Sequence, residues 1–127
     1  MNDDSGCVHE PVRTVLRFEA LLVLVALVAL YRRTNASWLV FGILLLFPDI
    51  AMVGYLRGTR VGAWSYNAFH TYVSPLICLG GSLYVPMLLP IAIVWAAHIA
   101  MDRALGYGLK YEDAFKHTHL GIIGKRN

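Results

Sequence analysis

Apolar residues in this chain gather into four long blocks instead of alternating with polar ones, and short stretches holding charge, glycine or proline separate the blocks. The blocks fill residues 15–31, 38–55, 67–84 and 86–104, each close to the roughly 17 to 25 residues that an α-helix needs to cross a bilayer. Tyr31 and Tyr55 close the first two, where an aromatic ring with a polar tip suits the interface. Only Tyr84-Val85-Pro86 joins the third and fourth, a link that forces an antiparallel hairpin. The pattern predicts an all-α, four-helix transmembrane bundle spanning residues 1–127 as one domain, ending in a short interfacial segment. A three-span arrangement with the proline-rich fourth block re-entrant is the alternative.

The prolines refine this picture. Pro86 and Pro90 fall near the first turn of the fourth helix, where a missing N–H costs little. Pro48 and Pro75 lie inside helices and free the carbonyls of Leu44 and Thr71, which predicts kinks there.

Composition agrees with a membrane location: 57% of the 127 residues are hydrophobic and 15% charged, more apolar surface than a soluble core of this size hides. The first block carries Glu19 and ends in Tyr31-Arg32-Arg33 without a small-residue cleavage site, so it reads as a retained helix. The net charge of +3 flanks the blocks and concerns orientation, not nucleic acid. With four crossings, one side holds Arg13, Arg17, Arg57, Arg60, Arg103, Lys110, Lys116, Lys125 and Arg126, and the other only Arg32 and Arg33. The richer side stays in the cytoplasm, which predicts a multi-pass cell-membrane protein with both termini inside. Cys7 and Cys78 have no metal-binding spacing and read as free thiols.

Ionisable residues inside the blocks carry the functional signal, because each is expensive in hydrocarbon and must face protein, water or a ligand. They are Glu19, Asp49, His70, His98 and Asp102. Counted from the cytoplasmic ends of the predicted spans, the first four lie roughly 5 to 10 Å deep, in one layer. His98 and Asp102 are four apart, on one helix face. Two histidines and two carboxylates suit Zn, Mn, Fe or Co better than a metal that prefers soft ligands. The same groups equally suit hydrogen bonding across helices, with Asn67, Thr71 and Ser74 assisting, or a proton or ion relay. Glu19 also has Arg17, Arg57 and Arg60 as candidate partners. In the tail, His117 and His119 share a face only on an extended or turning backbone. Tyr107, Tyr111 and Phe115, four apart, predict one apolar face of a short interfacial helix, and the tail begins on the side of the polar layer, where it could fold back as a lid.

Several motifs together, Phe47-Pro48-Asp49-Ile50, Tyr66-Asn67 with His70, His98 through Asp102-Arg103, Gly106-Tyr107-Gly108 and His119-Leu120-Gly121, resemble a family of small bacterial and archaeal membrane proteins filed as a domain of unknown function. The resemblance covers nearly the whole chain and implies no activity. Pro48-Asp49, His70, and His98 with Asp102 are more loosely similar, in order, to membrane-bound metal-dependent hydrolases. Ala51 stands where that pattern has a second acid, and Tyr66 or Asn67 where it has a second histidine, so the similarity implies one metal and not two. Under that reading Asp49, His70, His98 and Asp102 hold a divalent ion, His119 is a further ligand, Glu19 is the general base, and the substrate is lipid-like and enters from the cytoplasmic leaflet. The competing expectations are a non-enzymatic structural or partner-binding bundle and a small transporter that would have to form homo-oligomers. No glycine-rich phosphate loop, nucleophile elbow or haem-attachment motif is present.

Overall fold

The computed structural model describes residues 10–109 and 117–122. It is all-α apart from one two-residue ladder, and among the described residues three helices are long and apolar enough to cross a membrane. Helix α1 covers Val12–Arg33, and α2, Trp38–Leu45, runs on into a 3-10 helix, Phe47–Arg57. Helix α3 is Thr59–His70, α4 is Val73–Gly81 and α5 is Leu88–Leu105. In the tail, strand β1 (His117–Thr118) pairs antiparallel with β2 (Gly121–Ile122). Residues 110–116, with Tyr111 and Phe115 of the expected interfacial helix, lie outside the described residues, as do Cys7, Lys125 and Arg126. Cys78 is a free thiol.

Proline explains both departures from regular helix. At Pro48 the ladder changes type: Leu46 N–H donates to Ile43 O at 3.3 Å and Asp49 N–H to Leu46 O at 3.2 Å, both three residues back. The ring cannot donate and crowds the carbonyl four residues earlier, and the tighter helix avoids that carbonyl. The eight α-helical and eleven 3-10 residues still reach about 34 Å, enough for one crossing.

The third block corrects the expectation of one continuous helix over 67–84. Helix α3 begins eight residues early, at Thr59, and the chain breaks at Thr71, whose backbone is extended with ψ 147°. Pro75 is the cause, but the break falls at the carbonyl its ring would strike, four residues upstream, and not at Pro75 itself, which sits in the first turn of α4. Neither α3, with 12 residues, nor α4, with 9, crosses a bilayer alone.

His70 and Asp49, but not His98, lie farther from the ends of their helices than the block pattern predicts, because α3 starts early and the 3-10 helix rises more steeply and runs on to Arg57. His70 is eleven residues from the turn before Thr59 and Asp49 eight 3-10 residues from Arg57, roughly 16 Å each along their helices, and His98 is about 10 Å from Leu105.

Two glycines set the approach of the 3-10 helix and α3. Gly58, at φ 111°, makes the turn between them in a conformation that other residues avoid. A Cβ at Gly62 would run into the Tyr55 ring. Pro48 and Ala51, three apart on the 3-10 helix, are buried, and Ser65 Oγ donates to Ala51 O at 2.8 Å.

Helices α1 and α5 pack antiparallel along their length. At one end Arg17 Nε donates to Ala104 O at 3.0 Å, and at the other Tyr31, fully buried, packs with Ile93 and Val94. The Tyr31 hydroxyl donates to Ser37 O at 2.6 Å, and its ring meets Trp38 and Phe41 at 5.1 and 4.9 Å. Most of the outward surface is apolar: Leu39 is 74% exposed and Ile77 71%. So much exposed Leu, Ile and Val is the surface of a protein that meets lipid.

Candidate metal centre

One turn of α5 supplies the first half of the site. Ala97, Ile99 and Ala100 are fully buried, so the helix lies close against its neighbours, and His98 and Asp102 project from one face. Asp49, in the first turn of the 3-10 helix, and His70, the last residue of α3, complete it. One ligand atom from each of these four residues lies within 4.8 Å of the other three.

The distances inside this group are narrowly spread. His70 Nε2 and His98 Nε2 are 3.1 Å apart. Asp49 Oδ1 lies 3.4 and 3.3 Å from them, and Asp102 Oδ2 3.4 and 3.2 Å. A tetrahedral ion with ligands at about 2.0–2.1 Å has edges of roughly 3.3 Å between ligand atoms. Five of the six edges fit that figure, and the sixth, between the two carboxylate oxygens, is at most 4.8 Å.

Protonation explains why the fit has chemical meaning. His70 Nδ1 is 2.8 Å from Tyr66 O, and His98 Nδ1 is 2.5 Å from Leu45 O. Carbonyls only accept, so each Nδ1 carries a proton, and a neutral ring then presents a bare lone pair at Nε2. Two lone pairs and two carboxylate oxygens therefore converge with no donor between them. Two imidazolium rings would pair with the carboxylates but bring N–H against N–H at 3.1 Å. One shared proton would bridge the rings and leave the pair of carboxylates with a net negative charge at low dielectric. A single divalent cation satisfies all four atoms and makes the group neutral. The cluster could hold such an ion.

The helix break serves this geometry. Ending α3 at His70 leaves the carbonyls of Ala68, Phe69 and His70 without helical partners. Side chains from α4 and α5 take them: Ser74 Oγ donates to Ala68 O, Trp95 Nε1 to Phe69 O at 2.7 Å, and Arg103 Nη2 to His70 O at 3.3 Å. Tyr66, one turn before His70, stacks on its imidazole with ring centres 3.7 Å apart and planes 6° from parallel. His70 is thus fixed by its ring face, its Nδ1 and its own carbonyl. Irregular backbone at membrane depth is tolerated where protein satisfies it.

Burial within the cluster is uneven. The side chains of His70 and His98 are 3% and 1% exposed and Asp102 13%, whereas Asp49 is 41% exposed. Asp49 is the most exposed member of the cluster.

The structure does not bring Glu19 and His119 to this group. Glu19 is exposed on α1 and lines a different cavity, with Tyr72, Arg103 and His119. The tail folds back onto α1 and α5, Thr118 and Leu120 being buried. His119 is tied reciprocally to Leu109, its N–H donating to Leu109 O at 3.1 Å and its Nδ1 accepting from Leu109 N–H at 2.9 Å. Burial, with a smaller effect of the Arg103 charge, holds the His119 pKa below its ordinary value. The side chain of His117 lies outside the described residues.

Fold and site together define a small all-α protein with membrane-length apolar helices and a buried Asp-His-His-Asp cluster that could take a metal ion. The chain belongs to the family described as "Domain of unknown function (DUF4260)", whose pattern matches residues 13–123. No curated protein and no solved structure matches it.

Proposed function

We propose that this chain is an integral membrane metalloprotein that hydrolyses a lipid-like substrate, with Asp49, His70, His98 and Asp102 holding one divalent ion. The convergence of four acceptor atoms, five of their six separations close to a tetrahedral edge, with both Nδ1 protons committed elsewhere, carries the reading. Among Zn, Mn, Fe and Co, this geometry favours zinc, with cobalt the natural substitute. Such an ion would supply Lewis acidity, and would activate water at neutral pH once the exposed Asp49 yields its position or a fifth ligand is admitted. Asp49, the exposed member, faces the side from which an amphipathic substrate arrives. The whole chain acts as one domain crossing four times, α3 and α4 forming one interrupted crossing between the 3-10 helix and α5, with both termini cytoplasmic by the charge count.

The test is metal analysis of the full chain purified in detergent without chelator, alongside product release from phospholipid vesicles. About one ion per chain is expected, lost in His98→Ala, with hydrolysis that chelator stops and zinc restores. Metal without hydrolysis would remove the enzymatic half of the reading. Metal far below one per chain, unchanged in His98→Ala, would remove all of it. It would favour the second reading, in which the 3.2–3.4 Å His–Asp contacts are ion pairs that specify packing.

A further inference from the structure

The chain has a second built site, independent of the metal reading, where the C-terminal turn closes against α1, α4 and α5. Two cavities meet there. One, of about 150 Å³, is lined by Glu19, Arg103, His119 and Tyr72, among others. The second, of about 270 Å³, is walled by apolar side chains including Leu27 and Leu30 of α1, Leu76 of α4 and Ala96 of α5. Val23 and Tyr72 line both, so the cavities adjoin.

Residues 16, 19, 20, 23, 27 and 30 form one stripe down α1 at helical spacing, about 21 Å long. Its polar end lies beside the C-terminus of α5, where Arg17 reaches Ala104 O, and its apolar end approaches the buried Tyr31. A charged head at one end of a groove and an oily trough along the rest is the shape of an amphiphile lying parallel to the helices.

The charges name the head. Arg103 is half-buried; its guanidinium donates to His70 O and lies over the face of the Tyr72 ring, at 5.8 Å, with Asp102 and Tyr66 close enough to act on its charge. Among the described residues the bond to His70 O uses one of its five N–H donors, and the others suit an anionic head. Its neighbour Asp102 turns Oδ2 towards the two histidines and not into this cavity. Glu19 brings a carboxylate to the same cavity. A cation and an anion lining one polar pocket complement a zwitterion.

We propose that this groove binds one acyl lipid whose head carries both an anionic phosphate, received by Arg103, and a protonated primary amine, received by Glu19, with its chain lying in the apolar trough.

Native mass spectrometry of the full chain in detergent tests this with four single-chain probes of equal acyl length. They are lysophosphatidylethanolamine, with phosphate and amine; lysophosphatidylglycerol, with phosphate alone; lysophosphatidylcholine, whose quaternary amine cannot donate; and monoacylglycerol, with neither charge. One molecule of lysophosphatidylethanolamine per chain is expected, with monoacylglycerol at least about tenfold weaker and the other two between. Glu19→Gln, at an exposed position, should make lysophosphatidylglycerol bind as well as or better than lysophosphatidylethanolamine. Ala96→Trp, which fills the trough, should weaken every probe about tenfold or more while the metal content of the purified protein stays as in the wild type. Equal binding of all four probes, or a ranking unmoved by Glu19→Gln, would overturn the proposal.

Discussion

Two polar sites sit around α5, and they differ in what they contain. The Asp49-His70-His98-Asp102 cluster is built from acceptors: both imidazole protons point away into backbone carbonyls, so the four converging atoms are two ring lone pairs and two carboxylate oxygens. The Glu19-Arg103-His119 cavity mixes charges of both signs and adjoins an apolar trough. An all-acceptor cluster is completed by a bare cation, whereas a mixed pocket is completed by a molecule that carries both signs itself. Arg103 joins the two, since it lines the cavity and caps the carbonyl of His70.

Removing a ligand should separate the sites most sharply. Asp102→Asn replaces one acceptor by a group that brings donors into the cluster, and metal affinity should fall at least about tenfold, read by competition with a chromogenic chelator. Binding of the lipid probes should be unchanged. Chelation of the wild-type protein should next lower its stability, because an ion held at a hundred times its Kd contributes about 2.7 kcal/mol. Thermal unfolding in detergent would show that loss, and the same treatment should leave Asp102→Asn unmoved.

Smaller effects follow from the framework around His70. Gly62→Ala drives a methyl group into the Tyr55 ring and should cost about 1–3 kcal/mol by opening the contact between the 3-10 helix and α3. Trp95→Phe removes the donor to Phe69 O and should cost about 1 kcal/mol, with a modest loss of metal affinity.

How far the sites could be read from the chain depends on what counting residues reveals. Asp49, His70, His98 and Asp102 stand out because an ionisable group in an apolar block demands a partner. Counting gives a residue's height along a helix but not the direction it faces, which is why Glu19 shares their layer on paper and belongs to the other cavity. Pro75 marks a defect in the third block, yet the apolar pattern does not say that the break falls at Thr71 or that three side chains repair it. Arg103 looks like a flanking cation by position, and only folding places it under His70. The rest of the helical pattern is legible, since α1, α2 together with the 3-10 helix, and α5 fall within a few residues of the blocks that predict them.

The smallest expected effect concerns the lid over the mixed pocket. His119 has a folded pKa below the roughly 6.5 of the free side chain, because burial and the Arg103 charge disfavour its cation. The undocked tail therefore binds the proton more readily, so docking is complete above about pH 6.5 and weakens as pH falls below it. Glu19, which lines the same cavity, offsets part of this. Hydrogen exchange at the Leu109 amide, which donates to His119 Nδ1, should accelerate between about pH 6.5 and 5 after correction for intrinsic rates, and His119→Gln should flatten that dependence.

The central claim is that four named side chains surround one ion. X-ray absorption at the zinc edge, on the full-length protein loaded with one equivalent of zinc in detergent, tests it most directly. Four nitrogen or oxygen ligands at about 2.0 Å, including two imidazoles, with one imidazole lost in His98→Ala, is the predicted result. Six oxygen ligands with no imidazole scattering, unchanged in His98→Ala, would contradict it.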